Sequence, residues 1–257
     1  MIGHVARTSV PAATGRPAAV RLSRVTRLFD GLAAVSQVSL EIAAGETVWL
    51  RGWNGSGKTT LLRVIATAIT PTYGGGTVFG LDLQKRRNAV RARTDLLSHE
   101  TRFYNDLTAT ENLQFACSLY GLDKRRVDGS LDRVGLGEVG TVRVGSFSQG
   151  MRQRLALARC LMRAPTLVLL DEPYAALDSE ARIVVDDLIA AARTSGQTVI
   201  VASHEAPPPH LVDRDVIMDG GRVVTPNGDD VMSERPRANQ NCRASGGPCA
   251  EAKRGRA

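Results

Sequence analysis

Gly52-Trp53-Asn54-Gly55-Ser56-Gly57-Lys58-Thr59 has the form G-x-x-x-x-G-K-[ST], and its reading decides the fold. The β-rich run Thr47–Arg51 enters it and the helical stretch Thr60–Ala68 leaves it, which is the strand–loop–helix setting its chemistry needs. Glycines let the backbone fold tightly, so that successive N–H groups turn inward around phosphate, and the following helix adds its positive end. Lys58 can then reach the β- and γ-phosphates of a nucleotide, and the Thr59 hydroxyl can ligate Mg2+. All the residues of the loop, together with Thr60, are candidate phosphate-binding positions. Trp53 occupies a variable position, from which a side chain can point away from the nucleotide.

The second half of the site is Thr166-Leu-Val-Leu-Leu-Asp171-Glu172. A buried apolar strand that ends in two acids brings carboxylates to the carboxyl edge of a parallel sheet, where ligands bind. Asp171 is expected to hold Mg2+, directly or through water, and Glu172 to polarise an attacking water. Alone, Asp-Glu would read as a solvated turn. Beside the glycine loop it reads as the metal and base positions of a phosphoryl-transfer site.

Outward from these motifs, strands and helices alternate. Val38, Leu40 and Ile42 alternate with polar residues, as in a strand with one exposed face. Gly74-Gly75-Gly76 followed by Thr77–Gly80 reads as a turn into a short strand, and Leu81–Ala164 as helical and loop-rich. Thr166–Leu170 and Thr198–Ala202 are continuous apolar runs of the buried parallel kind, with a helix at about Ser179–Arg193 between them. The chain therefore reads as an α/β domain with a helical insertion at about residues 82–165. Residues 1–19 and 226–257 lack apolar periodicity and are expected to be a disordered leader and tail around a folded unit at 20–225.

Charge and composition narrow the function. The net charge is +7, but residues 1–29 hold five arginines and no acid, and residues 226–257 hold six basic against four acidic residues. The stretch between them is balanced, so no nucleic-acid-binding face is expected on the folded body. No uncharged apolar run approaches the ~20 residues of a membrane-spanning helix; Leu167–Leu170 stops at Asp171. Cys117, Cys160, Cys242 and Cys249 lack metal-ligand spacing, and nothing suggests a disulfide framework.

The phosphate loop, Ser148-Gln149-Gly150-Met151-Arg152-Gln153-Arg154, the strand ending in Asp171-Glu172, Ala176-Leu177-Asp178 and Ser203-His204 follow one another in an order that resembles the ATP-binding subunits of ABC transporters. The resemblance covers roughly Leu22 to Val224. It implies a P-loop NTPase with a mostly parallel core sheet, an N-terminal antiparallel β part and a helical subdomain. It also implies that the substrate is ATP with Mg2+, and that Phe29 stacks on adenine. Ser148 and Gly150 would cap the γ-phosphate of ATP held by the opposite subunit. Asp178 would couple the two sites, and His204 would contact the γ-phosphate. Two subunits, a homodimer on this reading, would close head to tail around ATP and move separate permease subunits, with the ATPase lying at the cytoplasmic face of the membrane.

Three features depart from the family pattern: His99, followed by Glu100, stands where the family usually has a glutamine that reads Mg2+; Gln149 and Met151 stand in the signature where Gly and Gln are commonest; and Trp53 fills a variable position of the phosphate loop. Ser98-His99-Glu100-Thr101, Tyr104–Thr108, Glu111-Asn112-Leu113, Leu119-Tyr120-Gly121 and Ser148–Arg159 are most similar to the ATP-binding subunit of the haem exporter of cytochrome c maturation. Export ATPases of the ABC-2 branch, for drugs, lipids or polysaccharides, share much of this wording, including Ser-x-Gly-Met-x-Gln-Arg. Residues 99–121 are expected to meet the permease. An ABC-type ATPase acting on DNA or ribosomes would need fused modules or a long coiled-coil insertion that the sequence does not show. A non-hydrolysing binding module is at odds with Lys58, Thr59, Asp171, Glu172 and His204 all being present.

Overall fold

The computed structural model describes residues 15–98, 103–175, 177 and 179–224. The chain divides into two units, Met1–Thr225 and Pro226–Ala257, and every described residue belongs to the first.

Two long strands open the domain, β1 (Ala18–Phe29) and β2 (Leu32–Ala43), joined by a hairpin turn at Asp30-Gly31. β3 (Thr47–Arg51) leads into the glycine loop and α1 (Lys58–Ile65), followed by β4 (Tyr73–Val78), β5 (Leu81–Asp82), α2 (Arg87–Arg93) and β6 (Thr94–Leu97). Then come α3 (Ala109–Tyr120), α4 (Arg126–Arg133), α5 (Gln149–Arg163), β7 (Leu167–Asp171), α6 (Ser179–Thr194), β8 (Thr198–Ala202), β9 (Arg214–Asp219) and β10 (Arg222–Val224).

The strands form two sheets. One has the order β2-β1-β4-β5 and is antiparallel throughout. The other has the order β10-β9-β3-β8-β7-β6, and all its pairings are parallel except that of β9 with β10. The expected α/β architecture, with an antiparallel N-terminal part, a mostly parallel core sheet and helices, is therefore the observed one.

β7 and β8 are buried at every position, which explains their unbroken apolar sequences: both faces of the sheet are covered. One core packs α1 and the two sheets together, through Leu22, Ile42, Leu50, Leu61, Leu62 and Leu169 among others. The other packs α3, α4, α5 and α6 against the opposite face of the core sheet, through Leu113, Leu131, Leu155, Leu157, Leu170 and Ile189. Alternate residues of β7 thus serve different cores, and truncating Leu169 or Leu170 to alanine is expected to cost about 2–5 kcal/mol.

Two readings of the sequence need correction. Gly74-Gly75-Gly76 is not a turn but the interior of β4. A Cβ on Gly74 would lie 2.2 Å from the Arg24 carbonyl oxygen and one on Gly76 2.3 Å from that of Arg21, so the glycines let β4 press against β1. The segment 81–164 is not only helices and loops: it contributes β6, the edge strand of the core sheet, in parallel register with β7 from Thr94↔Leu167 to Leu97↔Leu170.

Candidate functional site

The glycine loop follows the carboxyl end of β3, a central strand, and its shape is set by the backbone around it. A Cβ at Gly52 would meet the Met218 carbonyl oxygen at 2.3 Å and the Ser56 hydroxyl at 2.6 Å. Gly57, with φ of +98°, has the Ala34 carbonyl oxygen 2.4 Å from where its Cβ would be. Both positions exclude a side chain, and Gly57 also has a backbone conformation that L-residues rarely take. The loop is tied down by hydrogen bonds from Ser56 N–H to Trp53 O, from Gly221 N–H to Ser56 O and from Ser36 N–H to Gly221 O.

α1 begins at Lys58 with no side-chain cap and no acid in its first turn, so its leading N–H groups and positive end are left for an anion. The Ser56 hydroxyl is buried and has no hydrogen-bond partner among the described residues. Lys58 is buried to 5% exposure, and its Nζ donates to the carbonyls of Gly52 (2.8 Å) and Trp53 (3.4 Å). A buried cation held over a glycine loop at the start of a helix suits a phosphate chain.

The ends of β7 and β8 complete the site. Thr59 Oγ1 donates to Asp171 Oδ1 at 2.9 Å, across the space between α1 and β7. Glu172 follows at once with φ of +49°, in the left-handed region, and its N–H is bonded to Ala202 O at 2.7 Å. That conformation costs a residue with a Cβ about 1–2 kcal/mol. It turns the carboxylate so that Oε1 is 3.5 Å from Lys58 Nζ and Oε2 is 2.8 Å from His204 Nδ1. His204 follows β8, whose last residue, Ala202, is in register with Asp171. Parallel pairing therefore delivers an acid, a second acid and an imidazole to one edge of the sheet.

Phe29 lies at the tip of the β1–β2 hairpin, 44% exposed, with the Arg27 guanidinium 4.6 Å from its ring centroid. The hairpin is near the loop because Ala34, in the first half of β2, supplies the carbonyl that crowds Gly57. Trp53 is 55% exposed. Thr60 is in the first turn of α1.

Ser148 and Gly150 stand elsewhere, at the start of α5, where the Ser148 hydroxyl accepts from Met151 N–H at 3.2 Å. Among the described residues neither bonds to Gly52–Thr60. His99 and Asp178 lie outside the described residues.

Sequence reasoning missed several residues that shape the site. Arg27 backs Phe29, and its spacing of two along a strand was the available signal. Glu205 lies 3.8 Å from His204 Nε2 and pairs with Arg182 of α6 at 2.6 Å. The hydrogen bond from Arg182 holds the Glu205 carboxyl below the usual carboxylate range. Tyr174 is buried, with its hydroxyl bonded to Asp186 at 2.8 Å; burial and that bond push the phenol well above its ordinary range.

An amide-lined loop with a buried lysine, a threonine–aspartate pair and a glutamate–histidine pair together define the site of a P-loop nucleoside triphosphatase. The ABC transporter family matches residues 35–175, more than half of the chain, and the chain belongs to it. It is 38% identical over 197 residues to the ABC transporter ATP-binding protein NatA of Bacillus subtilis (strain 168), covering 74% of this chain and 80% of that protein. It is 33% identical over 213 residues to the daunorubicin/doxorubicin resistance ATP-binding protein DrrA of Streptomyces peucetius, covering 80% of this chain but only 64% of DrrA. The fold is similar, at a TM-score of 0.73 and 25% identity, to an ATP-binding cassette solved as a dimer in a post-hydrolysis state with ADP and Pi, covering 79% of this chain and 96% of that one. The protein is an ATP-binding, ATP-hydrolysing subunit of an ABC transporter. Among the described residues no helix is long and apolar enough to cross a membrane.

Proposed function

We propose that this subunit powers an exporter of the ABC-2 branch, whose cargo is a drug-like or lipid-like molecule carried by separate permease subunits at the cytoplasmic face of the membrane. What carries the mechanism is the contact of Glu172 with both Lys58 and His204, next to the Thr59–Asp171 pair. Lys58 and the amides of Gly52–Thr60 hold the phosphates of ATP, and the exposed ring of Phe29 stacks on the base. The adjoining hydroxyl and carboxylate oxygens of Thr59 and Asp171 fit Mg2+, which is usually bound through one or two carboxylates with phosphates and water. When bound, Mg2+ neutralises charge on the phosphate oxygens. Glu172 orients the attacking water and accepts its proton, while His204, bonded through Nδ1, holds the carboxylate in place.

Ser148 and Gly150 act on a second copy of the subunit. The exposed start of α5 offers a hydroxyl and N–H groups to the ATP of a partner docked head to tail, so that ATP joins the pair and hydrolysis releases it. Asp178 couples the two sites, and residues 99–121, with His99 among them, meet the permease. The resistance named for DrrA supports the export reading. Export of haem is the second reading, favoured by His99-Glu100 and the wording around it.

The test is to purify the tagged chain from membranes with its permease and measure ATP hydrolysis in vesicles. The ABC-2 reading expects co-purification of a polytopic membrane protein and turnover stimulated by an amphipathic drug but not by haem. Stimulation by haem alone would transfer the assignment to haem export.

A further inference from the structure

From the phosphate loop to the surface of α6 runs a chain of ionisable side chains: Lys58, Glu172, His204, Glu205 and Arg182. The successive separations are 3.5 Å from Lys58 Nζ to Glu172 Oε1, 2.8 Å from Glu172 Oε2 to His204 Nδ1, 3.8 Å from His204 Nε2 to Glu205 Oε1 and 2.6 Å from Glu205 Oε2 to Arg182 Nη1. The first side chain is buried at 5% exposure, whereas Glu205 and Arg182 are 38% and 41% exposed. The His204 side chain is 52% exposed. Glu172 hydrogen-bonds one ring nitrogen, and the Glu205 carboxylate faces the other at 3.8 Å, close enough for a charge to bias the ring's orientation but too far for a hydrogen bond.

Glu205 is itself held in two ways. Its N–H donates to Ser203 Oγ at 3.0 Å, and the guanidinium of Arg182 grips its carboxylate. Ser203 is anchored in turn, because Trp49 Nε1 of β3 donates to its carbonyl at 3.1 Å. Arg182 also lies 5.8 Å from the ring centroid of Tyr174, whose hydroxyl is bonded to Asp186 of the same helix. A pair this exposed contributes little to the stability of the fold, which leaves its position beside His204 to be explained.

The geometry points to Glu205 and Arg182 as positioning residues for hydrolysis: Arg182 holds the Glu205 carboxylate against the second ring nitrogen of His204, and so ties the orientation of the His204–Glu172 pair to helix α6. This rests on the reading of Glu172 and His204 given above. It adds a physical link between those two residues and the helix that begins at Ser179.

The test is steady-state Mg·ATP hydrolysis by the purified full chain, with nucleotide affinity and melting temperature measured on the same samples. Arg182→Gln and Glu205→Gln should each lower kcat by about three- to thirtyfold, within the range of coupling between contacting residues. KM for ATP should stay within about twofold, and the melting temperature should fall by no more than about 2–4 °C. The double variant should be no slower than the slower single one, and Arg182→Lys should recover most of the activity. Unchanged kcat in both single variants, with His204→Ala inactive, would overturn the inference and leave the site reading intact. Wild-type turnover in His204→Ala would overturn the site reading itself. Parallel losses of melting temperature, affinity and kcat would reduce the pair to a structural role.

Discussion

Lys58 Nζ lies 3.5 Å from Glu172 Oε1, which joins the first residue of α1 to the acid that follows β7. The two sit 114 positions apart in the chain and meet because β3 and β7 flank β8 in one parallel sheet. Lys58 thus restrains the carboxylate, and in the proposed site its cation would also meet the phosphates.

Replacing Lys58 by alanine removes the buried cation and its hydrogen bonds to Gly52 and Trp53. Charge-assisted hydrogen bonds of this kind contribute about 1.5–3 kcal/mol, so affinity for ATP should fall about ten- to hundredfold by calorimetry. A normal dissociation constant would mean that phosphate binds elsewhere.

Gly57→Ala should damage the loop through its backbone. The residue has φ of +98°, and the new methyl carbon would lie 2.4 Å from the Ala34 carbonyl oxygen. The conformation alone costs about 1–2 kcal/mol, and the clash forces β2 and the loop apart. Chemical denaturation should show a loss of at least about 2 kcal/mol, together with weaker nucleotide binding. A stable variant with unchanged affinity would show that the loop is less constrained than these contacts imply.

Ser148→Arg addresses the proposed shared site. The side chain is at the start of α5, away from its own phosphate loop, so ATP binding by the single subunit should be unaffected. In the Glu172→Gln background, light scattering should find ATP-dependent dimers with Ser148 and only monomers with arginine. Dimers that persist in the double variant would remove Ser148 from the interface.

A further expectation concerns acid. Burial pushes the Asp213 carboxyl up, but hydrogen bonds from Arg193 and from Thr47 N–H outweigh it and hold the group below its usual range. A depressed carboxylate stabilises the fold at pH values above its unfolded pKa of about 3.9, and that stability is lost as pH falls through the lower folded value. Because the Asp213 side chain is 40% exposed, solvent screening limits the loss, and Asp213→Asn should cost at most about 1 kcal/mol at neutral pH, read from denaturation midpoints. The variant and the wild type should converge once the pH has fallen below that lower folded value. A constant gap down to that pH would assign the loss to packing.

Much of this was visible in the sequence, for identifiable reasons. Thr47–Arg51, a β-rich run entering a glycine loop, and Thr198–Ala202, an unbroken apolar run that suits a strand covered on both faces, are strands over just the residues expected. Thr59, Asp171, Glu172 and His204 do meet, because their motifs end neighbouring parallel elements.

What was not visible depends on tertiary contact. Glycines normally end a strand, and only the closeness of Arg21 and Arg24 makes Gly74–Gly76 part of one. Thr94–Leu97 is too short for a pattern and becomes a strand by pairing with β7. Helix α1 starts at Lys58 rather than Thr60, since Gly57 caps it. Arg182 and Glu205 are distant in sequence, and nothing in either's neighbours announces the pair.

The account is tested most directly at Glu172. The Glu172→Gln variant keeps nearly the same shape and the contacts of Lys58 with the loop, but loses the charge that would take a proton from water. Phosphate release and ATP affinity should be measured side by side in the variant and the wild type. The prediction is unchanged affinity with turnover slower by about two or more orders of magnitude. Turnover at the wild-type rate would contradict the assignment of Glu172 as the residue that activates water.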